Sequence, residues 1–241
     1  MRFMPHAHVS QNTQVSGTRT DLHRNHRRFA TAVMSMAASA ALLVAPGTSP
    51  SAHANEQNGQ NNSAEQCEEA HQAVEQGQPL PKLELFRKGH GAVHDGKVVI
   101  FDDSARYSDE IKAAASSWTK ATNGAITFDV VDKETTNSVR VFDVKRDDAT
   151  WVGWTRHDPY RVLLNADYLD GMSQSARQGT IAHEFGHLVG LKHGCPGDLM
   201  HAISDYQQPP APQATDIQAA LQDDNDTTAV TTTRSFPDYS A

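Results

Sequence analysis

The chain has 241 residues, with 21 Lys and Arg against 29 Asp and Glu, so its formal net charge at pH 7 is −8. An acidic surface argues against nucleic acid and anionic membranes as partners. About 140 residues lie between two polar end segments, which is enough for one hydrophobic core and not for two.

The N-terminus has the features of an export signal. Arg24, Arg27 and Arg28 precede an alanine-rich apolar stretch, residues 29–45, and Ala52-His53-Ala54 offers a small-residue cleavage site. The stretch is interrupted by serines and is short for a membrane span, although a retained amphipathic anchor is the alternative. Residues 1–54 are therefore predicted to be a signal peptide. The remaining chain has 16 basic and 28 acidic residues, a charge of −12, typical of a soluble, extracellular protein without membrane association.

Polar segments follow the signal and end the chain. Residues 55–80 are rich in Gln, Asn, Glu and Ser, which indicates a pro-segment or an N-terminal arm. Within this segment, residues 63–76 are predicted to form a short polar helix that contains Cys67. Residues 225–241 are predicted to be a disordered tail. Residues 81–224 remain as the single folded domain.

The folded domain is predicted to mix helices and strands. Residues 108–121 form a helix with Ser108 as its cap, acidic residues in its first turn, and an apolar stripe: Ile111, Ala114, Ala115 and Trp118. Short β-type runs follow at residues 126–131, 139–144, 151–155 and 160–164. A compact helix is predicted at residues 216–221.

The segment HEFGHLVGLKH, residues 183–193, contains a metal-site motif. On a helix, His183 and His187 project from one face, so both imidazoles can reach one metal ion. Glu184 is placed to act as a general base on the metal's water rather than as a ligand. Gly190 can end the helix and turn the chain, which brings His193 in as a third ligand. Three ligands leave the fourth position of a zinc ion open, as in catalytic sites.

A chance match is the alternative to a metal site. In a chain with 13 histidines, H-E-x-x-H alone arises with odds of roughly one in forty, and the full spacing with odds on the order of one in ten thousand. An amphipathic core helix with incidental histidines would show the same apolar residues. The spacing therefore favours one catalytic Zn²⁺. No EF-hand-like spacing supports calcium, which stays open as a second cation.

Gly197-Asp198-Leu199-Met200 follows the third histidine where a metzincin has its Met-turn. Residues 180–200, TIAHEFGHLVGLKHGCPGDLM, resemble the metzincin zinc metalloproteases, and most closely the snapalysins, small secreted bacterial neutral proteases. The resemblance implies an α+β fold in which a twisted, mostly parallel sheet packs on an active-site helix, followed by the Met-turn of Met200 and a C-terminal helix. It also implies that residues 81–224 are a catalytic domain with endopeptidase activity. His193 stands where snapalysins usually carry aspartate, and either residue can bind zinc.

The two cysteines, Cys67 and Cys195, are predicted to form a disulfide, which the expected export of the protein favours. This bond would join the N-terminal arm to the active-site region. Two alternatives are a Cys67 thiolate that blocks the open zinc position in a latent precursor, and free or intermolecularly paired thiols.

The sequence therefore predicts a secreted, monomeric, zinc-dependent metalloendopeptidase that acts on protein or peptide substrates. Glu184 assists the attack of water on the peptide bond. An edge strand, residues 151–155 or 160–164, is expected to hold the substrate backbone extended by strand addition. A secreted binding module that retains the zinc site without catalysis is the alternative from another class, and a zinc exopeptidase is a third.

Overall fold

The computed structural model describes residues 62–202 and 209–223. The predicted signal peptide, residues 1–54, and the predicted tail, residues 225–241, lie outside the described residues. Within the described segments, no helix has the length and apolar character that crossing a membrane requires.

The described residues contain five α-helices, one short 3-10 helix at Leu83–Leu85, and five strands. The helices are α1 (Ala64–Glu75), α2 (Ser108–Ala121), α3 (Ala166–Leu169), α4 (Gln174–Leu188) and α5 (Ala214–Leu221). The strands are β1 (Lys97–Asp102), β2 (Thr127–Val131), β3 (Ser138–Val144), β4 (Gly153–His157) and β5 (Tyr160–Asn165). Four strands and α2 match predicted segments, whereas β1 is an additional strand that was not predicted.

The five strands form one sheet in the order β2-β1-β3-β5-β4. All neighbouring pairs are parallel except β4 and β5, which are antiparallel. This confirms the predicted mostly parallel sheet. Strand β4 lies at one edge of the sheet, whereas β5 pairs on both sides. Of the two candidate edge strands, the run at residues 151–155 therefore overlaps the edge strand β4, and the assignment of residues 160–164 to an edge was wrong.

The core lies between one face of the sheet and helices α2 and α4, which also contact each other. Phe128 of β2 stacks on Phe185 of α4, with ring centroids 5.3 Å apart. The indole Nε1 of Trp118 in α2 donates a hydrogen bond to the backbone oxygen of Ala182 at 2.7 Å. Because this buried polar group is satisfied, α2 fixes the position of α4 in the middle of its length.

The beginning of α2 differs from the prediction. Residue Tyr107 is at the N-cap position, and no side chain caps the helix. The hydroxyl of Ser108 instead donates to the backbone oxygen of Ser104, while the Ser104 hydroxyl accepts from the amide of Tyr107. The cap assigned to Ser108 was therefore wrong, because a hydrogen-bonded turn before the helix takes over that role.

Helix α1 confirms the short polar helix predicted at residues 63–76. Ser63 and Gln66 form a capping box at its start. Its buried face contributes Cys67, Ala70 and Val74 to the hydrophobic core of the described chain. A disulfide joins Cys67 to Cys195 across 128 positions of sequence. The alternatives of a blocking Cys67 thiolate and of free thiols are therefore wrong for this structure.

Candidate metal centre

Helix α4 carries the first two histidines of the motif. It begins at a capped turn, in which the hydroxyl of Ser173 accepts from the amide of Ala176. His183 and His187 are both buried, and their ring centroids are 4.9 Å apart. The i, i+4 spacing therefore places both imidazoles on one side of the helix, as predicted.

The end of α4 explains the glycine of the motif. Gly190 has φ of +87°, in the left-handed region, and a Cβ there would overlap the backbone oxygen of Gly89. The amide of Gly190 donates to the oxygen of His187, and the amide of Leu191 donates to the oxygen of Gly186. These two bonds form a Schellman motif, which requires glycine at this position.

The chain after the turn is hydrogen-bonded to residues 86–88, which precede β1. The amide of Lys88 donates to the oxygen of Gly190 at 2.8 Å, and the amide of Lys192 donates to the oxygen of Phe86 at 2.7 Å. His193 follows directly and is buried beside the other two histidines. Its ring centroid lies 5.6 Å from that of His183 and 5.2 Å from that of His187.

The three imidazoles form a donor set for one cation. One ring nitrogen from each of His183, His187 and His193 lies within 4.8 Å of the other two. Nδ1 of His183 is 2.8 Å from the oxygen of Leu199, and Nδ1 of His187 is 2.9 Å from that of Leu191. Because a carbonyl oxygen only accepts, these Nδ1 atoms carry the protons and the Nε2 atoms have the lone pairs that bind metals. The residues present therefore fit a metal ion with nitrogen ligands.

Glu184 is buried next to the first histidine and contacts the edge strand. The hydroxyl of Thr155 in β4 donates to Oε2 of Glu184 at 2.6 Å. Gly153, two residues earlier on the same strand face, leaves room for the carboxylate, since a Cβ there would be 2.7 Å from Oε1. The sequence did not predict that Thr155 or Gly153 belongs to the site. The period-two alternation of β4 was the only available signal, and it does not identify the partner across the core.

Met200 lies against α4 at Gly186. It is buried, and a Cβ at Gly186 would overlap its sulfur atom. The backbone oxygen of Met200 accepts from the amide of Gly194, the residue after the third histidine. The structure thus places the predicted Met-turn residue in contact with the helix and with the segment that carries His193.

A buried carboxylate organises this turn from α5. Asp216 accepts from the amides of Leu199 and Met200 through its two oxygens, at 2.9 and 3.2 Å. Burial, followed by the negative charge of Asp198, raises the pKa of Asp216, while the amide donors oppose this rise. Asp216 was predicted only as a residue of the C-terminal helix, and no local pattern connects it to a turn 16 residues earlier.

Helix α1 contacts the same region through two residues one turn apart. Cys67 forms the disulfide with Cys195, two residues after His193. His71 lies 3.5 Å from the carboxylate of Asp198, and this hydrogen bond raises the pKa of His71 although partial burial lowers it. The segment between the third histidine and Met200 is therefore attached to α1 at two points. We refer to these two attachments as the α1 clamp.

No protein-family model and no curated protein matches the chain. Among solved structures, it is similar to myroilysin, with a TM-score of 0.39, 15% identity, and coverage of 53% of this chain and 92% of that chain. It is similar to archaemetzincin from Archaeoglobus fulgidus, with a TM-score of 0.37, 16% identity and coverage of 51% and 99%. High choriolytic enzyme 1, a hatching enzyme zinc-protease from the medaka fish Oryzias latipes, has a TM-score of 0.27 and 21% identity, with coverage of 46% and 50%. At these TM-scores the likenesses are weak.

Proposed function

We propose that the protein is a secreted, zinc-dependent metalloendopeptidase. The observation that carries this proposal is the convergence of three buried imidazole nitrogens beside a buried glutamate that contacts the edge strand of the sheet. Two imidazoles whose Nδ1 atoms face carbonyl oxygens, together with a third histidine, form the nitrogen donor set that zinc prefers in catalytic sites with an open fourth position. A structural zinc site has no need of a buried, non-ligating acid next to its first ligand.

Each residue of the site has a separate role in the proposed reaction. His183, His187 and His193 hold the ion, which would supply Lewis-acid polarisation of the scissile carbonyl and of the attacking water. Glu184 takes a proton from that water and passes it to the departing amine. Thr155 acts as a positioning residue, because its hydroxyl lies 2.6 Å from Oε2 of Glu184 and holds the carboxylate beside β4.

Strand β4 is the proposed site for the substrate backbone. As the outer strand of the sheet, it offers backbone groups to an extended peptide. The substrate backbone would then lie beside the strand that carries Thr155, so the peptide bond to be cut is placed close to Glu184.

The compartment and the domain organisation belong to the same proposal. A signal peptide at residues 1–54 and a disulfide between Cys67 and Cys195 both suit an oxidising, extracellular environment. Residues 81–224 are proposed as the catalytic domain and residues 55–80 as a pro-segment or arm. We propose a monomer that acts on proteins or peptides. The finer assignment to the snapalysins rests on the motif of residues 180–200 alone.

The substitution Glu184→Gln tests the proposal, with Glu134→Gln on an exposed loop as the charge-matched control. The unmodified protein should cleave casein and lose this activity on chelation. Glu184→Gln should still bind about one equivalent of zinc. Its rate of casein cleavage should be lower by about 10²–10⁴-fold, the usual contribution of a general base. The control should be unaffected.

The other possible results of this experiment each indicate a different function. Unchanged cleavage in Glu184→Gln would refute the role of the glutamate. Zinc uptake without cleavage of any substrate would indicate a binding module that retains the site. Trimming of free-ended peptides, with end-blocked peptides left intact, would indicate an exopeptidase.

A further inference from the structure

The sheet has a second face, opposite helices α2 and α4, with a different composition. Alternate residues of the central strands, such as Val141 and Val162, are buried beneath the helices. Their neighbours point to the other face, because side chains alternate along a strand. This outer face carries half-buried apolar residues and arginines, so it is neither a core face nor an ordinary polar surface.

Three arginines occupy adjacent positions across three strands of this outer face. In the register of the sheet, Arg140 of β3 is opposite Arg161 of β5, and Arg161 is opposite Arg156 of β4. We call these residues the arginine row. Directly opposite residues on neighbouring strands lie roughly 5 Å apart, a distance at which like charges destabilise a sheet.

A second, apolar row runs beside the arginines. Phe142, Leu163 and Trp154 are opposite one another in the same register, and all three are half-buried. The guanidinium of Arg140 lies 5.2 Å from the ring centroid of Phe142, and that of Arg156 lies 5.5 Å from Trp154. The aromatic rings therefore support two of the arginines in extended positions across the face.

The charges of the arginine row are only partly balanced. Arg140 forms an ion pair with Asp103. Within the described part of the chain, Arg156 and Arg161 are exposed, and neither has a carboxylate partner. The protein as a whole is acidic, with 29 acidic residues against 21 basic ones. A concentration of positive charge on such a chain is complementary to an acidic partner, and guanidinium groups bind carboxylates in a planar, two-point geometry.

We propose that the arginine row and its apolar row bind an acidic stretch of polypeptide that carries an aromatic or aliphatic side chain. This proposal rests on the proposed function, since it selects acidic proteins among the substrates. Thr155 and Arg156 are neighbours on the edge strand and point to opposite faces. A substrate chain that leaves the edge of β4 reaches the row within about two or three residues, at about 3.3 Å per residue. The apolar row distinguishes such a peptide from a polysaccharide, which offers no aromatic or aliphatic side chain.

Binding is measured by fluorescence anisotropy with a labelled ten-residue peptide of Asp, Glu and Phe, on full-length Glu184→Gln so that no cleavage occurs. A peptide with Asn and Gln in place of the acids is the ligand control. The double substitution Arg156→Gln/Arg161→Gln should raise the Kd of the acidic peptide by roughly tenfold, because it removes two exposed charge contacts. Arg146→Gln/Lys112→Gln removes the same charge from exposed positions outside the row and should leave the Kd unchanged.

The proposal is overturned if the parent protein does not bind the acidic peptide, if the control pair weakens binding equally, or if the neutral peptide binds as well. Preference for a sulfated polysaccharide over the acidic peptide would also overturn it. Cleavage is measured separately, by comparing the cleavage rates of two peptides with the same neutral cleavage sequence, one with an acidic extension and one with a neutral extension. Loss of the preference for the acidic extension in Arg161→Gln, which lies on β5 and not on the substrate-binding strand, supports the proposal if cleavage of the neutral substrate is unaffected. Acidic-peptide binding without any cleavage would remove the protease assignment and leave the binding surface in place.

Discussion

Gly186 provides a quantitative test of how Met200 packs against the metal-site helix. A Cβ at this position would overlap Sδ of Met200 and lie 3.2 Å from Cζ2 of Trp118. Both side chains are fully buried, so neither can move into solvent. Alanine gains about 1 kcal/mol over glycine in a helix, whereas overpacking costs roughly 1–3 kcal/mol. Because the overlap is severe, we expect Gly186→Ala to lower the free energy of unfolding by about 2 kcal/mol.

A double-mutant cycle isolates the contact between the two residues. Met200→Ala removes the overlapping sulfur, at its own cost of roughly 2–5 kcal/mol. In that background Gly186→Ala should be neutral, or stabilising by up to about 1 kcal/mol, so the coupling energy is about 2–3 kcal/mol. Urea unfolding of the four proteins, followed by tryptophan fluorescence, gives each value.

Gly171→Ala is the control for this cycle, since its Cβ would meet only the backbone oxygen of Tyr168 at 3.7 Å. Equal destabilisation by Gly186→Ala in both backgrounds, or none in the parent protein, would refute the packing assigned to Met200.

Three further predictions concern neighbouring contacts. Thr155→Val removes a hydrogen bond to the carboxylate of Glu184, and such a bond is worth about 1.5–3 kcal/mol. The kcat/KM on a peptide substrate should therefore fall by about 10- to 100-fold while the zinc content stays constant. Full activity of the variant would contradict the positioning role of Thr155. Cys67→Ala/Cys195→Ala opens a link across 128 positions and should lower the free energy of unfolding by about 3–5 kcal/mol, measured by urea unfolding. The raised pKa of His71 means that its contact with Asp198 stabilises the fold below the ordinary value of 6.5, and this contribution is lost as the pH rises through the raised value. The stability difference between the parent and His71→Gln should therefore be larger at about pH 5.5 than at about pH 8.5, and a difference independent of pH would contradict the assignment.

Local patterns predicted the parts of the site that depend on neighbouring residues. The spacing of His183 and His187 is a property of one helix, and the turn at Gly190 is a property of its end. The same holds for α2, where the apolar stripe predicted the observed bounds. Strand β1 could also have been predicted, because four consecutive apolar residues, positions 98–101, begin two residues after Gly96, as is typical of a buried strand.

Other parts of the site depend on contacts between distant segments. Thr155 meets Glu184 across 29 positions of sequence, and Asp216 meets Leu199 and Met200 from a separate helix. Such contacts require the order of the strands and the packing of helices on the sheet, which periodicity does not determine. The choice of β4 rather than β5 as the edge strand has the same cause, since it depends on how the strands pair and not on either run alone.

The α1 clamp has a consequence for any maturation of the chain by proteolysis. A nick between α1 and β1 would produce a two-chain molecule, because Cys67 and Cys195 lie on opposite sides of the cut. Such a molecule would migrate as one band without a reductant and as two bands with it. If residues 55–80 act as a pro-segment, hydrolysis of one peptide bond is therefore insufficient to release the helix outside the cell. Its departure also requires a thiol that exchanges with the disulfide.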